Sequence, residues 1–209
     1  KIADELGVKA EFDRTATNFD QIINMVAAKK VDVGISFLSI TPYRSRKVLF
    51  THPYVEMRRG ILVNRVWQAS LNLPNGLHVV QYMKKANVRM SVQRGSSYEQ
   101  WTRDLFPNAN IIFVEENKPL EARASMVEDG KAFACLDDEI SIKKSILQKP
   151  RLALKTLPIF FKDKIDSIGI AVPPTSKHLH QWITSYLESN RIHYNIDDLL
   201  AEYPEGAKL

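Results

Sequence analysis

Short apolar runs alternate along the chain with longer segments in which apolar residues recur every three or four positions. The short runs have the length of buried strands, and the longer segments have the periodicity of amphipathic helices. Alternation of this kind predicts an α/β fold with open, mostly parallel sheets flanked by helices. The runs are VDVGISF (31–37), VRMSV (88–92), IIFVE (111–115) and AFACL (132–136), and the helical segments are FDQIINMVAAKK (19–30), YEQWTRDLF (98–106) and EISIKKSILQK (139–149).

Three further strands are predicted, VKAEF at 8–12, LALKTLPI at 152–159 and DSIGIAVP at 166–173. The alternation of strand and helix patterns is interrupted once, between residues 57 and 77, where MRRGILVNRV leads into a polar stretch that contains proline. A chain that builds part of one α/β unit, crosses over, builds a second and crosses back near 165–172 forms two lobes joined by two strands.

The stretch SFLSITPYRSRK at 36–47 follows a predicted strand and combines a helix start with an arginine. Thr41 followed by Pro42 is typical of a helix cap and a first helical position. Arg44 then lies in the first turn, against the positive end of the helix dipole, so a negative group should compensate it. That group is either the carboxylate of a ligand, with Ser39 adding a hydroxyl donor, or a nearby acid of the protein. The residues alone leave both alternatives open.

Two other strand ends carry polar residues. Gly95 permits a tight turn, and Ser96 and Ser97 then begin a helix whose amides can bind an anion, although such turns also serve as plain caps. Asp137 and Asp138 follow AFACL, where one of them accepts from an ammonium group or Asp138 caps the next helix. Together with Arg44 these groups complement a zwitterion. Charged hydrogen bonds contribute about 1.5–3 kcal/mol each, so four or five approach the roughly 8 kcal/mol of micromolar affinity.

Composition narrows the function classes. The chain has 209 residues and a formal net charge of +5, but its Lys and Arg residues are spread out and alternate with acids, which is typical of solvated helix faces and not of a nucleic-acid surface. Cys135 lies in an apolar run and is predicted to be a core thiol. No stretch approaches the ~20 apolar residues of a membrane span. Because the sequence has no histidine pair at metal-binding spacing and no nucleophile elbow, we expect no metal, cofactor or catalytic residue.

The segment SITPYRSRKVLFTHPY (39–54), preceded by VDVGIS and the helix FDQIINMVAAKK, resembles the family-three solute-binding proteins, the bilobed amino-acid receptors of bacterial ABC importers. The ligand cores of ionotropic glutamate receptors are similar at the same motif. The resemblance covers nearly the whole chain and continues through GILVNR, VRMSVQRGSS, DGKAFACLDD and IGIAVP.

The resemblance implies a type II periplasmic-binding-protein fold with two crossover strands as its hinge. Lobe 1 is then formed by residues 1–62 plus 169–209, and lobe 2 by residues 63–168. The first strand of the family would precede Lys1, so we expect either a truncated sequence or another segment in that strand's place.

The resemblance also implies a ligand-binding set. Arg44 binds the α-carboxylate of the ligand with help from Ser39 and the backbone near Phe37. Ser96 and Ser97 contact the same carboxylate from the other lobe, and Asp138 binds the α-ammonium group. This interpretation requires that no carboxylate of the protein already occupies the guanidinium. Two residues depart from the family pattern, since Phe37 replaces a small residue and Phe133 replaces an acid, as a packing change. The implied set is Arg44, Ser39, Phe37, Leu38, Ser96, Ser97, Asp138, Asp137 and Gln93.

The function implied is binding of a small zwitterion, an amino acid above all, with closure of the lobes around it for ABC-type uptake. The expected partners are the ligand and a membrane permease or signalling protein, with no nucleic acid, in the periplasm or another extracytoplasmic space. One alternative is the ligand-sensing domain of a membrane signalling or transport protein. The other is an enzyme similar to cyclohexadienyl dehydratase, for which Asp137, Asp138 and Glu139 are the candidate acids.

Overall fold

The computed structural model describes residues 1–114 and 120–201. Helices and strands alternate along most of these residues, and the predicted α/β fold class is confirmed. The strands are β1 Gly34–Ser39, β2 Leu49–Phe50, β3 Val55–Asn64, β4 Arg89–Gln93, β5 Asn110–Val114, β6 Ala134–Asp138 and β7 Thr156–Val172. The helices are α1 Ile2–Glu5, α2 Phe19–Ala27, α3 Pro42–Ser45, α4 Arg65–Ser70, α5 Gly76–Lys85, α6 Ser97–Leu105, α7 Leu120–Glu128, α8 Glu139–Gln148, α9 Pro150–Lys155, α10 Lys177–Ser189 and α11 Ile196–Ala201.

Contacts group the chain into two compact units, of which the first comprises Lys1–Glu56 and Ser167–Asn195. In this unit β1 and β2 each pair antiparallel with the later part of β7. The amphipathic helix α2 packs its apolar side on β1, because burial of that side removes apolar surface from water. The buried core residues here are Ile23, Val26, Leu38, Val48, Ala171, Ile170, Val172, Ile183 and Leu187.

The second unit comprises Met57–Asp166 and Ile196–Leu209. Strand β4 pairs parallel with β5 and β6, and β6 pairs antiparallel with β3. Because β4 and β6 run in the same direction, their carboxyl ends lie at one edge of this sheet, where polar side chains are expected to gather. The apolar core on the two faces includes Ile61, Val63, Met83, Met90, Phe106, Phe133, Leu136, Leu62, Val127, Ile142 and Leu152.

Local capping positions several helices as the sequence predicts. The Thr41 hydroxyl accepts from the Arg44 amide, and Pro42 is the first residue of α3, so the predicted helix start is confirmed. Asn75 caps α5 in the same way by accepting from the His78 amide. Such caps satisfy backbone amides that have no partner within the helix.

The prediction of a strand at residues 8–12 is wrong. Residues 8–16 have no regular secondary structure, and the side chains of Val8 and Phe12 are 57% and 80% exposed. A strand requires a neighbour to accept its backbone hydrogen bonds, and β1 pairs with β7 among the described residues and not with this segment. Strand propensity alone therefore does not determine the structure here.

The region before the return crossover also differs from the prediction. The first part of LALKTLPI is helical, because Pro150 begins α9 and the helix continues to Lys155. The remainder joins DSIGIAVP in one long strand, β7, instead of two. The strand predicted at 111–115 is present as β5 through Val114, and Glu115 lies outside the described residues.

The contact boundaries fall after Glu56 and after Asp166, and α11 groups with the second unit. The resemblance placed the crossovers at 62/63 and 168/169 and assigned residues 196–209 to lobe 1. Those lobe boundaries stay a prediction, because they concern which residues move together when a ligand binds.

We predict that Gly60→Ala destabilises the protein by about 1–3 kcal/mol through overpacking. A Cβ at Gly60 would lie 2.7 Å from Cδ1 of Phe160 and 2.9 Å from Cδ1 of Ile142, both well inside normal contact distance. Urea denaturation of the wild type and the variant measures the change. The double variant with Phe160→Leu should recover part of the loss, and an unchanged midpoint for Gly60→Ala alone would contradict the prediction.

Candidate functional site

Arg44 is buried in the first unit and is bound to an acid of the protein. Its Nε and Nη2 atoms both donate to Oδ1 of Asp20 at 3.2 Å, and its Nη1 donates to the Ser39 carbonyl at 3.4 Å. The Arg44 side chain is 2% exposed and that of Asp20 is 38% exposed. The requirement that no protein carboxylate occupies this guanidinium is therefore not met. Of the two alternatives the sequence left open, this structure contains the nearby acid.

Ser39 and Leu38 lie at the end of β1 and are both buried. The Ser39 carbonyl accepts from Arg44, and donation by the Ser39 hydroxyl to a ligand carboxylate stays a prediction. The Leu38 side chain belongs to the core with Ile23 and Val26, so only its backbone is available to a ligand.

Phe37 has the most unusual backbone in the predicted set. Its φ of 52° is in the left-handed region, and the pairing of β1 with β7 is irregular between Gly34 and Leu38. Such a conformation costs a bulky residue about 1–3 kcal/mol. The ring is 42% exposed and meets Tyr54 edge to face at 6.5 Å. Burial raises the pKa of Tyr54 to about 12, although a hydrogen bond with the Phe37 backbone acts in the opposite direction and lowers it.

The second unit brings Gln93, Asp137 and Asp138 together at the carboxyl ends of β4 and β6. The register pairs Met90 with Ala134 and continues to place Gln93 level with Asp137. Arg123, on α7, bridges them, since its Nη1 donates to Oε1 of Gln93 at 2.6 Å and its Nη2 donates to Oδ2 of Asp137. Both Arg123 and Asp137 are almost fully buried, so this is an ion pair inside the protein.

Asp138 caps α8. Its Oδ1 accepts from the Ser141 amide at 2.6 Å and its Oδ2 from the Ser141 hydroxyl at 2.7 Å. Burial and the neighbouring charge of Asp137 raise the pKa of Asp138 to about 7. The carboxyl group of Glu139 behaves in the opposite way, because hydrogen bonds from Arg58 at 2.5 Å and 2.8 Å lower its pKa to about 2. Adjacent acids thus differ widely in proton affinity.

Ser96 and Ser97 lie at the start of α6, and both are nearly buried. The Ser96 hydroxyl donates to the Gln93 carbonyl at 2.8 Å, which ties the turn to the end of β4. The Gly95 amide donates to Oε2 of Glu99 at 3.1 Å. Because the Ser96 hydroxyl is bonded to the last residue of β4, the start of α6 lies at the carboxyl ends of the strands, as Asp138 does.

An aromatic and charged group that sequence reasoning missed adjoins these residues. The Tyr98 hydroxyl donates to Oδ2 of Asp166 at 2.9 Å, and its ring meets Trp101 edge to face at 5.0 Å. Burial, reinforced by Asp138, Asp166 and Asp137, raises the pKa of Tyr98. The Arg59 guanidinium carbon lies 3.1 Å from the centre of the Trp101 ring, and burial lowers the Arg59 pKa.

The sequence indicates the positions of some of these missed residues better than those of others. Trp101 follows Ser97 by four residues and Tyr98 by three in the helix after the Gly-Ser-Ser turn, so helical spacing could have placed the Trp101 ring beside both. Asp166 directly precedes the return crossover. Asp20 lies in the first turn of α2, but nothing local connects it to Arg44. Arg123 has no local signal at all, since its partners are far away in the sequence.

Other chemistry is not supported in the parts of the chain that the structure describes. No group of three or more His, Cys, Asp or Glu side chains there is arranged to hold a metal ion. Burial raises the pKa of the Cys135 thiol to about 12, as expected for a core thiol. Within the described ranges, no helix is long and apolar enough to cross a membrane.

We predict that Asp138→Asn removes a pH dependence of stability. The raised pKa of Asp138 means that the stability it contributes is present below about pH 4 and is lost as the pH rises through about 7. Relative to the variant, the wild type should lose up to about 1.4 kcal/mol of unfolding free energy per pH unit between about pH 5 and pH 7. Asparagine can still cap α8.

Urea denaturation across this pH range, with Asp163→Asn as a control at an exposed acid on β7, measures the difference. Parallel stability curves for the wild type and Asp138→Asn would contradict the prediction.

Comparisons with known proteins agree with the resemblance stated from the sequence and confirm it. The family model for "Bacterial extracellular solute-binding proteins, family 3" matches residues 1–205. ABC transporter arginine-binding protein 1 of Escherichia coli K12 is 21% identical over 183 residues, which cover 86% of this chain and 69% of that protein.

Solved structures are similar over nearly the whole chain. The ancestral amino acid-binding protein AncCDT-1, described as a precursor of cyclohexadienyl dehydratase, has a TM-score of 0.71 and 26% identity, covering 96% of this chain and 80% of that one. L-arginine-bound AbpA of Streptococcus pneumoniae has a TM-score of 0.73 and 23% identity, covering 96% and 78%. The latter likeness supports the type II periplasmic-binding-protein fold.

Proposed function

Because the chain belongs to the bacterial extracellular solute-binding proteins of family 3, we propose that it binds a small zwitterionic solute, an amino acid, for ABC-type uptake. The observation that carries this proposal is the buried acidic cluster at the carboxyl ends of β4 and β6. This cluster contains Asp137 and Asp138, with Asp166 beside Tyr98. Buried acids in such numbers require cationic partners.

A formal charge count covers the described residues named in this cluster. Arg59 and Arg123 contribute two positive charges, and Asp137, Asp138 and Asp166 contribute three negative ones when Asp138 is ionised. The excess of one negative charge suits an ammonium group, which would favour the ionised form of Asp138. We therefore assign the α-ammonium group of the ligand to Asp138, with Asp137 and Gln93 beside it.

The role of Arg44 must take Asp20 into account. Hydrogen bonds of 3.2 Å are longer than the 2.7–2.9 Å usual for charged pairs, and Asp20 is partly exposed. We propose that the ligand's carboxylate binds the Arg44 guanidinium by displacing Asp20 or by sharing the guanidinium with it. The amides at the start of α6, at Ser96 and Ser97, are proposed to contact the same carboxylate, and Phe37 to limit the width of the pocket.

A cationic amino acid is the first ligand to test. The E. coli relative is named for arginine binding, and this similarity is the reason for the choice. The lobes proposed to close around it are residues 1–62 plus 169–209 and residues 63–168. Closure would follow from contacts made with both lobes, which stabilise the closed form.

Membership of the family supports a proposal about the location and the partner. We propose a periplasmic or extracytoplasmic protein that delivers its ligand to a membrane permease. The same fold also serves as a ligand-sensing domain of membrane signalling or transport proteins. Identifying the membrane protein that the ligand-bound form engages distinguishes these two roles.

Isothermal titration with L-arginine and L-lysine tests the assignment of the charged residues. We predict saturable binding to the wild type and at least tenfold weaker binding to Asp138→Asn and Arg44→Ala, because each loses a charged hydrogen bond of about 1.5–3 kcal/mol. Asp20→Asn should bind more tightly than the wild type if Asp20 competes with the ligand. Arg46→Ala, at an exposed arginine two residues from Arg44, is the matched control.

Equal affinities of wild type, Arg44→Ala and Asp138→Asn would overturn the assigned roles. Thermal denaturation of each variant without ligand separates lost binding from lost folding. If Arg44→Ala is unfolded, Arg44→Lys with an intact melting transition serves in its place.

A dehydratase is the second candidate, and one observation favours it. With a pKa of about 7, Asp138 retains a proton in part of the population at neutral pH and so qualifies as a general acid. Glu139 does not qualify, because its pKa is about 2. Asp137 is bound to Arg123.

We predict that incubation with prephenate or arogenate yields no product detectable by chromatography, since the relatives named above are binding proteins. Product formation by the wild type that disappears in Asp138→Asn would establish the enzymatic alternative instead.

A further inference from the structure

A cavity lies in the second unit, away from the acidic cluster. Its volume is about 520 Å³, and Arg89 and Asn110, the first residues of β4 and β5, contribute to its wall. The acidic cluster lies at the other ends of the strands, with Gln93 as the last residue of β4. A strand rises about 3.3 Å per residue, so Arg89 and Gln93 are roughly 13 Å apart. The proposed amino-acid site therefore does not include this cavity.

Three aromatic rings form the apolar part of the cavity wall together with Leu71 and Val88. The centre of the Phe133 ring lies 5.8 Å from that of Trp67 and 6.0 Å from that of Tyr82, and the ring planes are tilted in both pairs. Phe133 is buried in the core, whereas Trp67 and Tyr82 are half-buried and line the opening. The residue that departs from the family pattern at position 133 is thus the one on which both lining rings pack.

The polar part of the wall is positive. Arg89 places its guanidinium carbon 5.3 Å from the centre of the Trp67 ring, and its Nη2 donates to the Gly130 carbonyl at 3.4 Å. Asn87 and Asn110 add carboxamide groups. No Asp or Glu is found among the described residues that line the cavity, so its formal charge is positive. An anionic group is the complement of such a wall.

We propose that this cavity binds a small planar aromatic carboxylate, with its ring against Trp67 and Tyr82 and its carboxylate on Arg89. Aromatic faces give a planar ring an extended contact, and a guanidinium binds a carboxylate through paired N–H donors. The volume lies within the usual range of about 300–1,000 Å³ for small-molecule sites. This site is separate from the amino-acid site and does not depend on it.

Fluorine NMR with para-fluorobenzoate tests the proposal on the whole chain. We expect saturable binding to the wild type and at least tenfold weaker binding of para-fluorobenzamide, which has the same ring without the charge. Arg89→Gln should weaken benzoate binding about tenfold or more, and Tyr82→Leu should weaken it several-fold. Lys131→Gln, at an exposed cation close in sequence to Gly130 that does not line the cavity, should leave it unchanged.

Competition locates the ligand. Binding of para-fluorobenzoate should persist in saturating L-arginine and in the Asp138→Asn variant, because neither affects the amino ends of β4 and β5. Absence of saturable binding, equal binding of the amide, an undiminished affinity in both folded variants Arg89→Gln and Tyr82→Leu, or displacement by L-arginine would each overturn the proposal. Thermal denaturation verifies that each variant is folded.

Discussion

The ion pair between Arg123 and Asp137 is the constraint on which the second unit depends. Both side chains are almost fully buried, and an ion left alone in such a place would cost several kcal/mol. The pair also reaches further, since Arg123 holds the Gln93 side chain and Asp137 accepts from the Asp138 amide. Helix α7, the ends of β4 and β6 and the start of α8 are therefore joined by one set of charged hydrogen bonds.

The same ion pair also influences the pKa of the neighbouring residue, Asp138. Arg123 binds Asp137 inside the protein, and burial together with the charge of the neighbouring Asp137 raises the pKa of Asp138. The pKa of Glu139 is lowered instead, because Arg58 and Lys143 form ion pairs with its carboxylate. Three consecutive acids thus have three different environments, although in the sequence they look alike.

Features determined by adjacent residues could be predicted from the sequence. The Thr41 and Pro42 helix start and the Asp138 cap each involve groups within three residues of one another, and the alternation of apolar runs gave the fold class. The ion pairs could not be predicted in this way. Asp20 and Arg44 are 24 residues apart, and Arg123 is 30 residues from Gln93, so only the folded chain brings them together. The strand prediction for residues 8–12 was wrong for a related reason, because a strand forms only where a neighbouring strand accepts its backbone hydrogen bonds.

The two interpretations of Asp138, helix cap and ligand contact, are compatible. A carboxylate offers about four acceptor positions, and Ser141 uses two of them, one on each oxygen. The cap also fixes the direction of the carboxyl group, which a binding residue requires. Because the pKa of Asp138 is about 7 without a ligand, a cation bound there would favour loss of the proton near neutral pH. Cation binding at Asp138 would therefore be linked to proton release, through a residue that the fold needs for other reasons.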